Sequence, residues 1–238
     1  NVEITGTSLS SLDQVDAVDA TGDLTLNAST ATGNVEILGA DTGANDLTSG
    51  SGDDTIEGGI EDDELDGGAG NDEIEGDLGD DTIEGSSGND TIDGGIGDDT
   101  VDYDQNFGQA VTFLAVQEEV DKGNNESDNL ADIETIIGAT GVDNTIDGSS
   151  DDNSSDSFDV DLSQNDLEVG DNTFTVQNFD NVVGTANDDN IVGNQNDNTF
   201  SGSAGNDTFN GGAGNDTVDY STIDEEVTLL AEETIKKG

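Results

Sequence analysis

Apolar residues in this chain do not recur at helical spacing. They stand singly or in pairs, each flanked by polar neighbours, and over two long stretches they return every nine residues. Residues 49–102 divide into six consecutive nonapeptides: SGSGDDTIE, GGIEDDELD, GGAGNDEIE, GDLGDDTIE, GSSGNDTID and GGIGDDTVD. Their eighth positions are all branched aliphatics: Ile56, Leu65, Ile74, Ile83, Ile92 and Val101. Residues 184–219 repeat the pattern as GTANDDNIV, GNQNDNTFS, GSAGNDTFN and GGAGNDTVD, with Ile191, Phe200, Phe209 and Val218 at the eighth position. A single phase held this long is the mark of a repeat architecture, in which each unit buries its apolar face only against its neighbours.

The elements follow from the unit. Its first six residues, mostly Gly, Asp, Asn and Ser, cannot propagate a helix, and glycine admits backbone with positive φ. The next three, of the form Thr-Ile-Glu, predict a short strand with its middle side chain inward and its neighbours outward. Two units, 18 residues, then close one coil with a turn at each side. The pattern predicts an all-β fold of stacked coils with glycine-rich turns and a thin apolar ladder inside.

The turns carry the chemistry. The sixth position is Asp in every unit of the first array: Asp54, Asp63, Asp72, Asp81, Asp90 and Asp99. In the second array it is Asp189, Asn198, Asp207 and Asp216. Turns of units n and n+2 lie over one another, so these carboxylates stack at about 4.8 Å, a repulsive arrangement unless a cation sits between them. Calcium suits such a site, because it takes six to eight hard oxygens and glycine turns add carbonyls; magnesium's stricter octahedral geometry ranks below it. Diffuse ion binding by a generic acidic surface is the alternative, and it needs no fixed period.

These units match GGxGxDxUx, and the chain resembles the RTX (hemolysin-type) calcium-binding nonapeptide-repeat proteins, most closely large secreted surface, S-layer or adhesin-type members. The resemblance implies a parallel β-roll, type I secretion and calcium-driven folding outside the cell. It also implies ions held between sixth-position side chains of units n and n+2, with turn carbonyls: Asp54 with Asp72, Asp63 with Asp81, Asp72 with Asp90, Asp81 with Asp99, Asp189 with Asp207, and Asn198 with Asp216. About six bridging Ca²⁺ sites are expected on that basis. Glu61 replaces a fourth-position glycine, which puts its turn in doubt, and Asn198 removes a charge.

Five segments are expected: β-solenoid coils over 1–48, the first array over 49–102, a strand-rich connector over 103–183, the second array over 184–219, and a second connector copy from 220. VDY at 101–103 returns at 218–220, and VTFLAVQEEVDKG from Val111 returns as VTLLAEETIKKG from Val227. The connector's Ile/Val/Phe alternation predicts strands that continue the solenoid as longer rungs. The Asp/Ser/Asn-only stretch 149–157 reads as an exposed loop. Near the start, NVEITG recurs as NVEILG, LTL (24–26) suggests a coil, and the Leu12/Val15/Val18 spacing suits either coil or a short helix. Near-repeats at 39–48 and 138–147 suggest partial ion sites through Asn45 and Asp143. Because the chain stops at a point matching the middle of the first connector, a window from a longer repeating protein is expected.

Composition narrows the function classes. Leu, Ile, Val and Phe make up about 22% of the 238 residues, close to the level of disordered chains. There are 58 acidic and 3 basic residues, a net charge of −55, so the chain should stay expanded until cations bind. With no Cys and no His, disulfides, thiolate or imidazole metal sites and the usual nucleophilic systems are excluded. Three lysines cannot neutralise a polyanion, so no nucleic-acid partner is expected, and no apolar run suggests membrane insertion. Tyr103 and Tyr220 sit at a structural repeat position, and Lys122, Lys236 and Lys237 are expected to pair with local carboxylates. No catalytic residue is assigned.

The leading expectation is a calcium-dependent structural module of a large, secreted, self-assembling cell-surface protein: an S-layer, adhesin stalk or extracellular filament. Its partner would be itself, with any glycan or lipid anchor outside this window. The acid excess points to a bacterial or archaeal protein of saline water, where screening is strong. Two alternatives stand: the export and folding domain of a type I-secreted toxin or hydrolase, and a calcium-dependent ice- or mineral-binding solenoid. The latter rests on the seventh-position threonines Thr55, Thr82, Thr91 and Thr100, which Glu64 and Glu73 interrupt.

Overall fold

A computed structural model of the chain describes residues 2–5, 10–105, 107–149, 155–202 and 204–221. Among the described residues every regular element is a strand, and the 24 strands form two 12-stranded sheets. Through the first array consecutive strands alternate between the sheets. Thus β6 (Thr55–Gly59) pairs in parallel with β8 (Glu73–Asp77), and β7 (Glu64–Asp66) with β9 (Thr82–Glu84). The registers Ile56↔Ile74 and Leu65↔Ile83 are 18 residues apart, one coil per two nonapeptides.

The core is the pair of eighth-position ladders. One runs Leu26, Leu47, Leu65, Ile83, Val101, Ile136 and Val176, and the other Ile37, Ile56, Ile74, Ile92 and Leu130. All are buried, each contributing about 2 kcal/mol of apolar transfer. Residues on either side of each alternate outward, as in the exposed–buried–intermediate pattern of β7. A core this thin cannot stabilise so many turns by itself.

Glycine earns its place where turns stack. Gly88, at φ +125°, lies directly over the Gly70 carbonyl with no room for a side chain, and at Gly79, at φ +147°, a Cβ would stand 2.6 Å from the Glu61 backbone carbonyl, too close for any side chain. Glu61 itself avoids the left-handed region, and Asp63 two residues on remains buried. That turn therefore closes without its glycine, because the glycine that matters for the contact belongs to the turn above.

The connector departs from the expected longer rungs. After β11 (Thr100–Asp102) the chain skips ahead in the second sheet to β12 (Thr112–Leu114), then folds back through β13 (Glu119–Gly123) and β14 (Glu126–Ala131), whose last strand rests on β10 (Thr91–Asp93). The first sheet does the same with β17 (Phe158–Asp161), β18 (Asp166–Val169) and β19 (Asn172–Gln177), the last resting on β15 (Thr135–Ile137). Each sheet thus gains a three-stranded antiparallel meander inside an otherwise parallel stack. Local backbone makes the reversals: Glu118, Asn124, Asn125 and Asn165 adopt positive φ, and Gly123 and Gly170 join them, giving tight turns in place of the wide turns of the array. Wider layers need larger side chains, and Phe113 packs edge-on against Phe174 at 5.2 Å.

Leu12, Val15 and Val18 do not form a helix: β2 (Gln14–Asp16) places Val15 in the ladder beside Ile37. Residues 24–26 are strand, within β3 (Leu24–Asn27). Most of the 149–157 stretch, and the repeat of VTFLA after Tyr220, lie outside the described residues.

Candidate metal centre

Each sixth-position side chain sits where a turn enters a strand, and stacking fixes its partners. The Asp72 Oδ1 accepts the Asp54 peptide N–H at 2.8 Å, Asp81 that of Asp63 at 2.7 Å, Asp90 that of Asp72 at 3.0 Å, and Asp99 that of Asp81 at 2.8 Å. In the second array Asp207 accepts from Asp189, and Asp216 from Asn198, both at 3.1 Å. All six n/n+2 pairs are therefore neighbours. The contact is carboxylate to peptide, however, rather than carboxylate to carboxylate, and it leaves the second oxygen to be accounted for.

That second oxygen divides the residues. At Asp63, Asp72, Asp81 and Asp99 the Oδ2 is buried and has no hydrogen-bond partner. A buried carboxylate oxygen without a donor costs far more than one in water. Burial pushes Asp63 up to about 6 and Asp72 and Asp81 up to about 7, against the pull of the N–H each accepts; Asp90 and Asp54 beside Asp72, and Asp63 and Asp99 beside Asp81, add to the rise. Asp99 is raised for the same first reason. A bound cation would reverse this by favouring the charged form.

The other sixth positions have protein donors. Asp54 Oδ2 accepts from the Ser49 hydroxyl and the Gly50 N–H, and Asp90 Oδ2 from Lys122 at 3.0 Å. Asp189 accepts from the Thr185 N–H at 2.9 Å and hydroxyl at 2.7 Å. Asn198 donates its own amide to the Asp180 carbonyl at 2.9 Å. Asn45 does likewise to Ala40 and Gly58, so its expected partial ion site is filled by its own amide. Asp143 is exposed; its neighbour Asn144 takes the buried position and donates to Ala139 and Asn178, which corrects that assignment by one residue. Asp207 is half-buried and Asp216 exposed.

Calcium fits these four sixth-position oxygens by donor type. First-position glycines line them: a Cβ on Gly58 would stand 2.6 Å from Asp63 Oδ2 and 2.8 Å from the Gly76 carbonyl, so both oxygens face one small space that glycine leaves open. Asp63, Asp72, Asp81 and Asp99 with the adjoining turn carbonyls would hold the ions, whose role is to supply positive charge between rungs. Among the described residues no three carboxylates converge on one point; the arrangement is a ladder, with one acid per turn.

Sequence reading overlooked three members of the columns. Asp128 accepts the Asp90 N–H at 2.9 Å and Glu134 that of Asp99 at 2.8 Å, so both columns continue into the connector. Their signal was present as Asp128-Asn129-Leu130 and Glu134-Thr135-Ile136, the acid-x-aliphatic triplet without its glycines. Asn144-Thr145-Ile146 is the amide version. Fifth positions form a second, exposed ladder in the opposite sense, as where Asn71 N–H meets Asp53 Oδ1 at 3.0 Å. Outward threonines Thr82, Thr100, Thr135 and Thr175 share one row, which Glu64 ends.

Two largely parallel sheets closed by glycine-rich turns, with one carboxylate or amide per turn in two stacked columns, define a β-roll. The family model described as the RTX calcium-binding nonapeptide repeat (4 copies) matches residues 39–74, 75–106 and 183–218, and this chain carries that repeat. No curated protein matches the chain. The roll is a structural module rather than a catalytic fold, and RTX repeats occur in secreted proteins. No helix among the described residues is long and apolar enough to cross a membrane.

Proposed function

We propose that this calcium-binding module is one segment of a large secreted protein that assembles with copies of itself at the cell surface, as an S-layer, adhesin stalk or filament. Calcium at the unpartnered Oδ2 atoms of Asp63, Asp72, Asp81 and Asp99 makes the fold conditional on the compartment: the chain stays open where calcium is scarce and closes outside the cell. The observation that carries the reading is the 117-residue return of VDY followed by VTFLA and VTLLA, together with two sheets whose strand pairing runs unbroken through both meanders. A unit whose sheets stay paired from one array to the next suits a long repetitive shaft. Among the described residues each sheet ends in an unpaired edge strand, a kind of surface on which a further unit could pair.

Electron microscopy and sedimentation with stepwise calcium test this. Ordered assemblies appearing in millimolar calcium and dispersing in chelator are the expected result. A protein that folds with calcium but stays monomeric at every concentration would leave the module and remove the assembly.

A further inference from the structure

Lys122 is buried in an acidic wall, its side chain wholly enclosed. Its Nζ lies 3.0 Å from Asp90 Oδ2, 2.5 Å from Asp128 Oδ1 and 2.7 Å from the Ser86 carbonyl. Those three oxygens are two successive column carboxylates and one turn carbonyl, the donor set that the turns below offer to calcium. The column itself is uninterrupted here, since Asp128 Oδ1 takes the Asp90 N–H just as Asp90 takes that of Asp72. What differs is the occupant.

We propose that the Lys122 ammonium is a resident cation that stands in for a calcium ion between Asp90 and Asp128. The inference rests on the calcium reading of the turns below it. A single positive charge with three N–H donors satisfies both carboxylates and the carbonyl, leaving neither acid among the unpartnered oxygens. The surroundings are shaped for an organic cation. Phe107 presents its ring 5.9 Å from Nζ, Tyr103 donates to Asp128 Oδ2 at 2.8 Å, and the Tyr103 ring fills the space beside Gly85 that is open at Gly58. The side chain arrives from β13, the middle strand of the back-folded meander, so the plug is delivered by the element that interrupts the repeat. This connector would thus seal its column with charge carried by the chain, so that the meander needs no ion where it meets the array.

The test is calcium stoichiometry by equilibrium dialysis of the full chain and its Lys122→Ala variant at saturating calcium. The variant should bind one ion more than the parent. An equal or smaller count overturns the proposal, as does a variant that stays unfolded in excess calcium, because the ion could not then replace the ammonium. A parent that binds no calcium removes the reading of the turns as well, which separates the two failures. Terbium gives a position-sensitive check: Tyr103-sensitised emission should rise severalfold in Lys122→Ala and fall back in Lys122→Ala/Tyr103→Phe. Emission equal in parent and Lys122→Ala overturns the assignment.

Discussion

The two nonapeptide arrays share a period and a turn, and both bury sixth positions, all six in the first and Asp189 and Asn198 in the second, yet they treat them differently. In the first, Asp63, Asp72, Asp81 and Asp99 each keep a buried oxygen with no protein donor. In the second, Asp189 is equally buried but Thr185 supplies both a hydroxyl and a peptide N–H, and Asn198 brings its own amide. The difference shows that the repeat alone does not dictate a cation. Demand for one arises where burial removes water and the neighbouring side chains offer nothing in return. Aspartate makes the rung conditional; asparagine or a nearby threonine makes it self-sufficient.

The largest effect should come from closing the space beside a ladder carboxylate. Gly76→Ala drives a Cβ into Asp81 Oδ2 and the Gly94 carbonyl, and should cost on the order of 3 kcal/mol in calcium-saturated thermal unfolding. Gly33→Ala meets nothing within 4 Å and should stay within about 0.5 kcal/mol. Equal losses would show that glycine here serves only chain flexibility.

Next in size are the carboxylates. Asp81→Ala should raise the calcium midpoint of folding, read by circular dichroism, by about tenfold, equivalent to about 1.4 kcal/mol. Asp54→Ala should move the midpoint much less, because Ser49 and Gly50 already satisfy its Oδ2. Asp72→Asn sharpens the contrast: an amide there can copy Asn45 and Asn198, so it should bind less calcium yet keep more structure in chelator than Asp72→Ala.

Protons should act on the same oxygens. Without calcium, Asp72 and Asp81 titrate near 7 in the fold against 3.8 when exposed, so the folded chain binds more protons in between. Their contribution to stability is complete below about pH 4 and is lost as the pH rises through about 7. In chelator, β content should therefore be greater at pH 5 than at pH 8. With calcium the sign reverses: protons compete with the ion, and the calcium midpoint should rise as the pH falls below about 7. A calcium midpoint unchanged between pH 8 and pH 5 would remove the raised carboxylates from the site.

Smallest are the second-array changes. Thr185→Val withdraws a hydroxyl from Asp189 and should cost about 1 kcal/mol, partly recovered by added calcium. Asp216→Ala, at an exposed position, should cost about 0.5 kcal/mol or less.

Much of this was legible because the repeat is rigid in phase. Asp54 through Asp99, the inward aliphatics and the 18-residue coil follow from spacing alone, since one phase permits one stacking. The meanders were not legible as such: their strands read as strands, but the back-folding depends on where β12 lands along the stack, a non-local choice that no short window encodes. Nor did spacing show which carboxylates lack a donor. Ser49, Thr185 and Lys122 decide that, and they lie 5, 4 and 32 residues from the acids they serve. Position six names the column, while the rest of the turn decides whether a given rung needs an ion.

The central claim is that cations at the unpartnered first-array carboxylates hold that stack closed. Hydrogen exchange of the full chain at pH 8, in millimolar calcium and in excess chelator, tests it strand by strand. Peptides covering Leu65, Ile74 and Ile83 should be strongly protected with calcium and exchange rapidly without it. Equal protection in both conditions would contradict the account.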